Sequence, residues 1–158
     1  MTICWGITDG SAGMVAQVHA LATAMNIAPE MKIISLKKPW SLLPNIFYDT
    51  CLLKFVLSHA LLDSKIIGKP YPEIVISCGR KAALVNAAIK KKQPDIKTIH
   101  IQDPQMSATN FDVVVAMEHD KIEGKNVIKT RFALHSISPD VLNSAREKFM
   151  THFTAYPH

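Results

Sequence analysis

The residues best suited to chemistry lie in short polar stretches that interrupt apolar runs. Asp9-Gly10-Ser11-Ala12-Gly13 follows the apolar run Ile3–Ile7 and precedes a helical period. A glycine-bearing turn between a strand and a helix can aim backbone N–H groups at an anion, aided by the helix dipole. The spacing Gly6-x-x-x-Gly10-x-x-Gly13 matches neither the dinucleotide fingerprint nor the Walker A loop. A tight turn without a ligand accounts for Gly10 and Gly13 as well. At the end of the next apolar run stand Lys37 and Lys38, where an acidic ribose ligand would be needed; they suit a 2′-phosphate weakly.

Cys78-Gly79-Arg80-Lys81 is the second such stretch. Two cations at a helix start oppose the macrodipole, and a bound anion relieves the conflict. Arg80 is the better ligand, because its planar fork holds phosphate or carboxylate bidentately. If both side chains lie in solvent, the conflict costs only a few tenths of a kcal/mol. Cys78 at a helix start suits a low-pKa thiol, although a small buried hydrophobe is the preferred reading. The acid–base candidates are His119, His135 and Asp103. His119 is flanked by Glu118 and Asp120, either of which can orient its ring. Gln102-Asp103-Pro104 is a polar strand end at which Asp103 either meets a hydroxyl-bearing ligand or closes the turn. Lys90-Lys91-Lys92 reads as a solvated helix end favoured by the dipole. It lacks the aromatic interleaving of a nucleic-acid platform, so no nucleic-acid partner is expected.

These stretches need elements to hold them. Strands are expected at Ile3–Ile7, Met31–Leu36, Glu73–Ser77, Thr98–Ile101, Val113–Ala116 and Val127–Thr130. Helices are expected at Gly13–Met25, with Met14, Val18, Leu21 and Met25 on one face, and at Lys81–Lys91. Ile46–Leu62 reads as a buried or interfacial helix, since Asp49, Lys54 and His59 interrupt it and it is short for a membrane span. Ser138-Pro139 starts the last helix, with Ser138 as N-cap, and that helix carries Val141, Leu142, Ala145 and Phe149.

Strands alternating with helices predict a parallel sheet covered on both faces, a Rossmann-like three-layer α/β domain of about six strands. Ligands of such sheets bind at the strand carboxyl ends, where strand order reverses. That point is expected between Ile3–Ile7 and Glu73–Ser77. It is faced by Asp9–Gly13 and Cys78–Arg80, with the loops at Gln102-Asp103, Glu118-His119 and Thr130–His135 on the same edge.

The chain has 158 residues, enough for one domain, with 48% hydrophobic and 20% charged residues, which excludes wholesale disorder. A net charge of +5 permits an anionic partner without requiring one. The 3 cysteines are too sparse for a disulfide scaffold and favour a reducing, cytoplasmic compartment. No finger-like Cys/His spacing occurs, so neither a structural metal nor another cofactor is expected.

Several of these stretches together resemble the ELM-like family, named for a mitochondrial-fission factor and found widely in bacteria. They are Trp5–Gly13 with Gln17; Pro72–Arg80; Ile101–Pro104 with Phe111–Val115; Glu118-His119-Asp120; Asn126–Ile128; and Ala133–His135. Such proteins look like two-domain GT-B glycosyltransferases. The resemblance implies that this chain, through residue 150, corresponds to their N-terminal, acceptor-side half. Residues 151–158 then resemble an interdomain linker. A ligand site is expected at Asp9, Gly10, Ser11, Gly13, Gly79, Arg80, Gln102 and Glu118, suited to a nucleotide-sugar, a phosphosugar or another anionic small molecule. The family's first loop tends to carry a histidine after its second glycine; Met14 stands here and cannot accept a proton. The chain is therefore expected to be inactive alone. It would act with a separately encoded C-terminal half, or as a non-catalytic interaction module for a membrane-associated partner. In the latter case Trp40, Leu42, Leu43, Ile46 and Phe47 would form the apolar patch.

Overall fold

In the computed structural model, residues 2–38, 40–45, 48, 50–63, 67–137 and 139–153 are described. The first strand, β1 (Cys4–Thr8), is wholly buried and leads into helix α1 (Ala12–Ala24). Strand β2 (Glu30–Ile33) follows, then the short helix α2 (Thr50–Phe55), which continues as a π-helical turn over Val56–Ala60. Strand β3 (Ile74–Cys78) runs into helix α3 (Arg80–Lys92). Strands β4 (Lys97–Ile101), β5 (Val113–Met117) and β6 (Val127–Thr130) complete the sheet, and helix α4 (Pro139–Phe153) follows.

The six strands form one sheet in the order β2-β1-β3-β4-β5-β6, and every pairing is parallel. This is the doubly wound α/β arrangement, with the order reversing between β1 and β3 as expected. Side chains alternate across it. On one face Cys4, Ile76, Cys78 and Ile101 pack with Val18 and Ala22 of α1. On the other, Trp5, Ile7 and Val75 pack beneath α3 and α2. Helix α3 lies between the sheet and α2, which is why every residue from Ala82 to Ile89 is buried. Its alanines allow that close approach without crowding.

The departures from expectation have local causes. Strand β2 stops at Ile33 instead of Leu36, and its residues are only partly covered, because it is an edge with one neighbour. Beyond it Ile34 still bonds to Thr8, and Leu36 bridges to Leu61. Helix α1 ends at Ala24, so Met25 is exposed, and Ala20 and Ala22 join Val18 among the buried residues. Lys90 is not part of a solvated run: its Nζ donates to Asp112 Oδ2 at 2.8 Å and to the carbonyls of Pro94 and Ile96. Of the expected apolar patch, Leu42 and Leu43 are exposed, but Trp40 is half-buried and stacks on Tyr48 at 5.7 Å. Ile46, Phe47 and the expected N-cap Ser138 lie outside the described residues. No described helix is long and apolar enough to cross a membrane.

Candidate functional site at the carboxyl edge

The loops after β1, β3 and β4 meet at the reversal point. In the first, Gly10 adopts φ +89°, and Thr8 Oγ1 accepts from its N–H at 3.1 Å. Asp9 Oδ1 accepts from Ser11 N at 3.2 Å. The loop thus satisfies the Gly10 and Ser11 amides internally. Gly13 is open, with no atom within 4 Å of the position a Cβ would take.

The second loop is welded to the first. Gly79 adopts φ +90°, and a Cβ there would stand 2.4 Å from Met14 Sδ. Met14, where the family pattern would put a histidine, therefore packs on the backbone that opens α3. Lys81 Nζ lies 4.0 Å from Asp9 Oδ2, a loose ion pair across the same gap. Gly79 is the N-cap of α3 and supplies no capping side chain, so no side chain caps the first amides of α3. Arg80 stands beside them. Its Nη2 donates to the Ser41 carbonyl at 3.3 Å, and among the described residues no carboxylate pairs with it.

A buried residue that the sequence reading missed holds this arrangement. Asn45 Nδ2 donates to the Arg80 carbonyl at 2.7 Å and to the Pro104 carbonyl at 2.8 Å. It bridges the loops after β3 and β4 from a long irregular connection, where no periodicity marks it. Tyr48, nearby, donates to the Trp40 carbonyl at 2.8 Å. Burial pushes its phenol pKa up, and the positive charge of Arg80 opposes part of that rise.

The third loop is shaped by backbone. Gln102 takes φ +81° and donates its N–H to the Val115 carbonyl, while Asp103 Oδ1 accepts from Gln105 N at 2.8 Å and closes the turn. Gln17, Gln102, Met117, Thr130, Ala133 and Leu134 surround a void of only about 10 Å³. Stretches scattered along the sequence thus converge there, but packed too tightly to admit a ligand.

The remaining acid–base candidates form a separate, wetter group. His119 is 76% exposed, with Nε2 3.8 Å from Asp120 Oδ1. Asp120 Oδ2 accepts from Met117 N. Glu118 faces Arg131 at 3.7 Å. His135 is exposed and accepts from Ile137 N at 3.3 Å. Among the described residues no hydrogen bond or ion pair joins these side chains to Asp9, Arg80 or Asp103.

Two further sets look reactive by residue type and are core by position. Cys78 is fully buried; burial first, then the Asp9 charge, push its thiol up to about 12, which excludes a reactive thiolate. Ser77 Oγ lies 2.8 Å from His100 Nδ1 and accepts from Asn86 Nδ2 at 2.7 Å. This serine–histidine–asparagine set is sealed, with all three residues at 0% exposure. Burial holds the His100 imidazole down to about 3, so it stays neutral.

The chain is similar to known proteins. A family model described as "Mitochondrial fission ELM1" matches residues 12–158. A protein of Rickettsia prowazekii (strain Madrid E), described as "Uncharacterized protein RP120", is 29% identical over 119 residues. That match covers 73% of this chain and 32% of the Rickettsia protein, so the chain spans about a third of that relative. No solved structure matches. The family match covers nearly all of the chain, including the loops around Met14, Arg80, Asp103 and Glu118, and by it the chain belongs to the mitochondrial fission ELM1 family.

Proposed function

We propose that this domain is the acceptor-side half of a GT-B-like protein, and that it binds an anionic small molecule at the carboxyl edge. The observation that carries the reading is Arg80. It stands at the uncapped start of α3, beside the strand-order reversal, with no carboxylate partner among the described residues. A phosphate placed there gains the Arg80 fork and the free amides of α3 together, and relieves the conflict between two cations and the helix dipole. A nucleotide-sugar or phosphosugar supplies such a group. The loop Asp9–Gly13 and Gly79 supply the surrounding contacts in this reading, while Gln102 and Glu118 lie away from Arg80.

The domain does not transfer a sugar by itself in this reading. Met14 cannot act as a base, and His119 and His135 stand apart from Arg80 in their bonding. Exposed apolar side chains after β6, Phe132, Ile137, Leu142 and Phe149, support a second domain or a separate C-terminal-half protein covering that side. A second reading, a non-catalytic module recruiting a membrane-associated partner, is favoured by Leu42 and Leu43, which are 68% and 42% exposed beside the Arg80 contact Ser41.

Thermal shift and titration calorimetry against UDP-, GDP- and CMP-sugars and sugar phosphates test the first reading. At least one is expected to bind, and Arg80→Ala is expected to weaken it about tenfold, the loss of one charged hydrogen-bonding partner. Absence of binding across the panel, or binding indifferent to Arg80, would exclude it.

A further inference from the structure

At the opposite end of the sheet lies a cleft of about 520 Å³, lined by Lys54, Leu57, Ser58, Ile67, Tyr71, Ala88, Lys91 and Lys92. Two helices build it. Ala88, Lys91 and Lys92 are spaced i, i+3, i+4, so they share one face at the carboxyl end of α3. Facing them, Lys54 closes α2, and Leu57 and Ser58 follow in the π-helical turn. Helices α2 and α3 pack directly on each other, which brings three lysines to line one cavity.

The division of labour within Lys90-Lys91-Lys92 matters. Lys90 is consumed by Asp112 and two carbonyls. Lys91 and Lys92 line the cleft instead. Lys92 Nζ sits 6.0 Å from the centre of the Tyr71 ring. Among the described residues, no acidic side chain lines the cleft, and none forms an ion pair with Lys54, Lys91 or Lys92. The α3 dipole accounts for cations at its last turn. It does not account for Lys54, which belongs to another helix, or for an apolar floor of Leu57, Ile67 and Ala88 beneath them. A helix segment with π geometry is also a frequent mark of a functional site.

We propose that this cleft binds a phosphate group carried on an apolar body, independently of the carboxyl-edge site. The ammonium groups hold the phosphate as point charges, and Leu57, Ile67, Ala88 and the Tyr71 ring take the apolar part. The volume falls within the range of about 300–1,000 Å³ usual for small-molecule sites. The same chemistry is presented by a soluble aryl or alkyl phosphate and by the head of a phosphatidic acid.

The test uses the whole chain and three probes: phenyl phosphate, inorganic phosphate, and phosphatidylcholine vesicles with and without phosphatidic acid. Binding is followed by calorimetry or vesicle cosedimentation, and located by amide chemical shifts. Phenyl phosphate is expected to saturate at or below about 1 mM, with shifts centred on residues 54–58, 71 and 88–92. The double variant Lys91→Gln/Lys92→Gln is expected to weaken binding about tenfold or more. Lys125→Gln, which removes an exposed charge elsewhere, is expected to change it less than about twofold, as a distant surface charge is screened. Saturable binding of phenyl phosphate supports a soluble ligand. Binding only to vesicles that contain phosphatidic acid supports a lipid. Binding of neither probe overturns the proposal. So does a Lys125→Gln effect as large as that of the double variant, which would report bulk charge alone. Inorganic phosphate binding as tightly as phenyl phosphate overturns the apolar half of the proposal.

Discussion

Single side chains set the shape of the carboxyl edge, and Gly79 is the sharpest case. Its φ of +90° demands glycine, and a Cβ there would also push aside the flexible Met14 side chain, whose sulfur would lie 2.4 Å away. Gly79→Ala is expected to cost about 1–3 kcal/mol in urea unfolding. Met14→Ala in that background should recover the steric part but not the dihedral part, so the two changes should be non-additive. A neutral Gly79→Ala would show that the loop relaxes freely. His100 supplies a pH dependence. Burial depresses its pKa from 6.5 to about 3, so between those values the unfolded chain binds a proton that the folded chain refuses. Stability is therefore full above pH 6.5 and falls on acidification, at roughly 1 kcal/mol per pH unit. Urea midpoints between pH 7 and 5 should drop in the native chain and stay flatter in His100→Leu. Equal slopes would remove His100 as the cause. The sequence marked Gly79 and Arg80 correctly as a turn and a helix start. It did not mark His100 or Asn45. A lone polar residue in a strand or an irregular segment has no pattern, and only the register that sets Ser77 opposite His100 makes a pair of them.

At the scale of elements, a charged tie joins α3 to the β4–β5 side of the sheet. Asp112 Oδ2 accepts from Lys90 Nζ at 2.8 Å, Thr98 N at 2.8 Å and Thr98 Oγ1 at 3.0 Å. Burial by itself would raise the Asp112 pKa; these hydrogen bonds and the Lys90 charge outweigh it and hold the carboxyl below its usual value. Its contribution is fully present above the ordinary carboxylate range and is lost as pH falls from that range through the lower folded value. Asp112→Ala leaves Lys90 and the buried Thr98 hydroxyl without this acceptor. It is expected to cost about 2–4 kcal/mol at neutral pH by urea denaturation. A cost below about 0.5 kcal/mol would place the pair among exposed ion pairs of little weight. The strands and long helices were legible because their periodicity reflects burial on one or both faces. The apolar pattern overextends the edge strand β2, since apolar residues continue past Ile33 although strand pairing stops there. The lysine run looks uniform in sequence, because charge pattern alone cannot show that Lys90 is the member that turns to Asp112.

For the molecule as a whole, the sheet separates two ends of different character. The carboxyl edge gathers the family's loops, and the amino end holds the three-lysine cleft. Helix α4 belongs to neither core: Leu142 and Phe149 are 58% and 61% exposed. Leu142→Lys/Phe149→Lys is therefore expected to shift unfolding stability by less than about 0.5 kcal/mol. A larger loss by thermal or urea melting would mean that α4 packs on the sheet. The alternation of apolar runs with helical periods by itself determined a parallel α/β domain, its reversal point and the loops that face it, because hydrophobic burial imposes those periods on the chain. Only the tertiary structure decided which residues meet. Asp9 came to Lys81, Met14 to Gly79, Asn45 to Arg80 and Pro104, and Lys54 to Lys91 and Lys92. Those pairs are far apart in the chain, and no local propensity encodes their approach; the stacking of helices on the sheet brings them together.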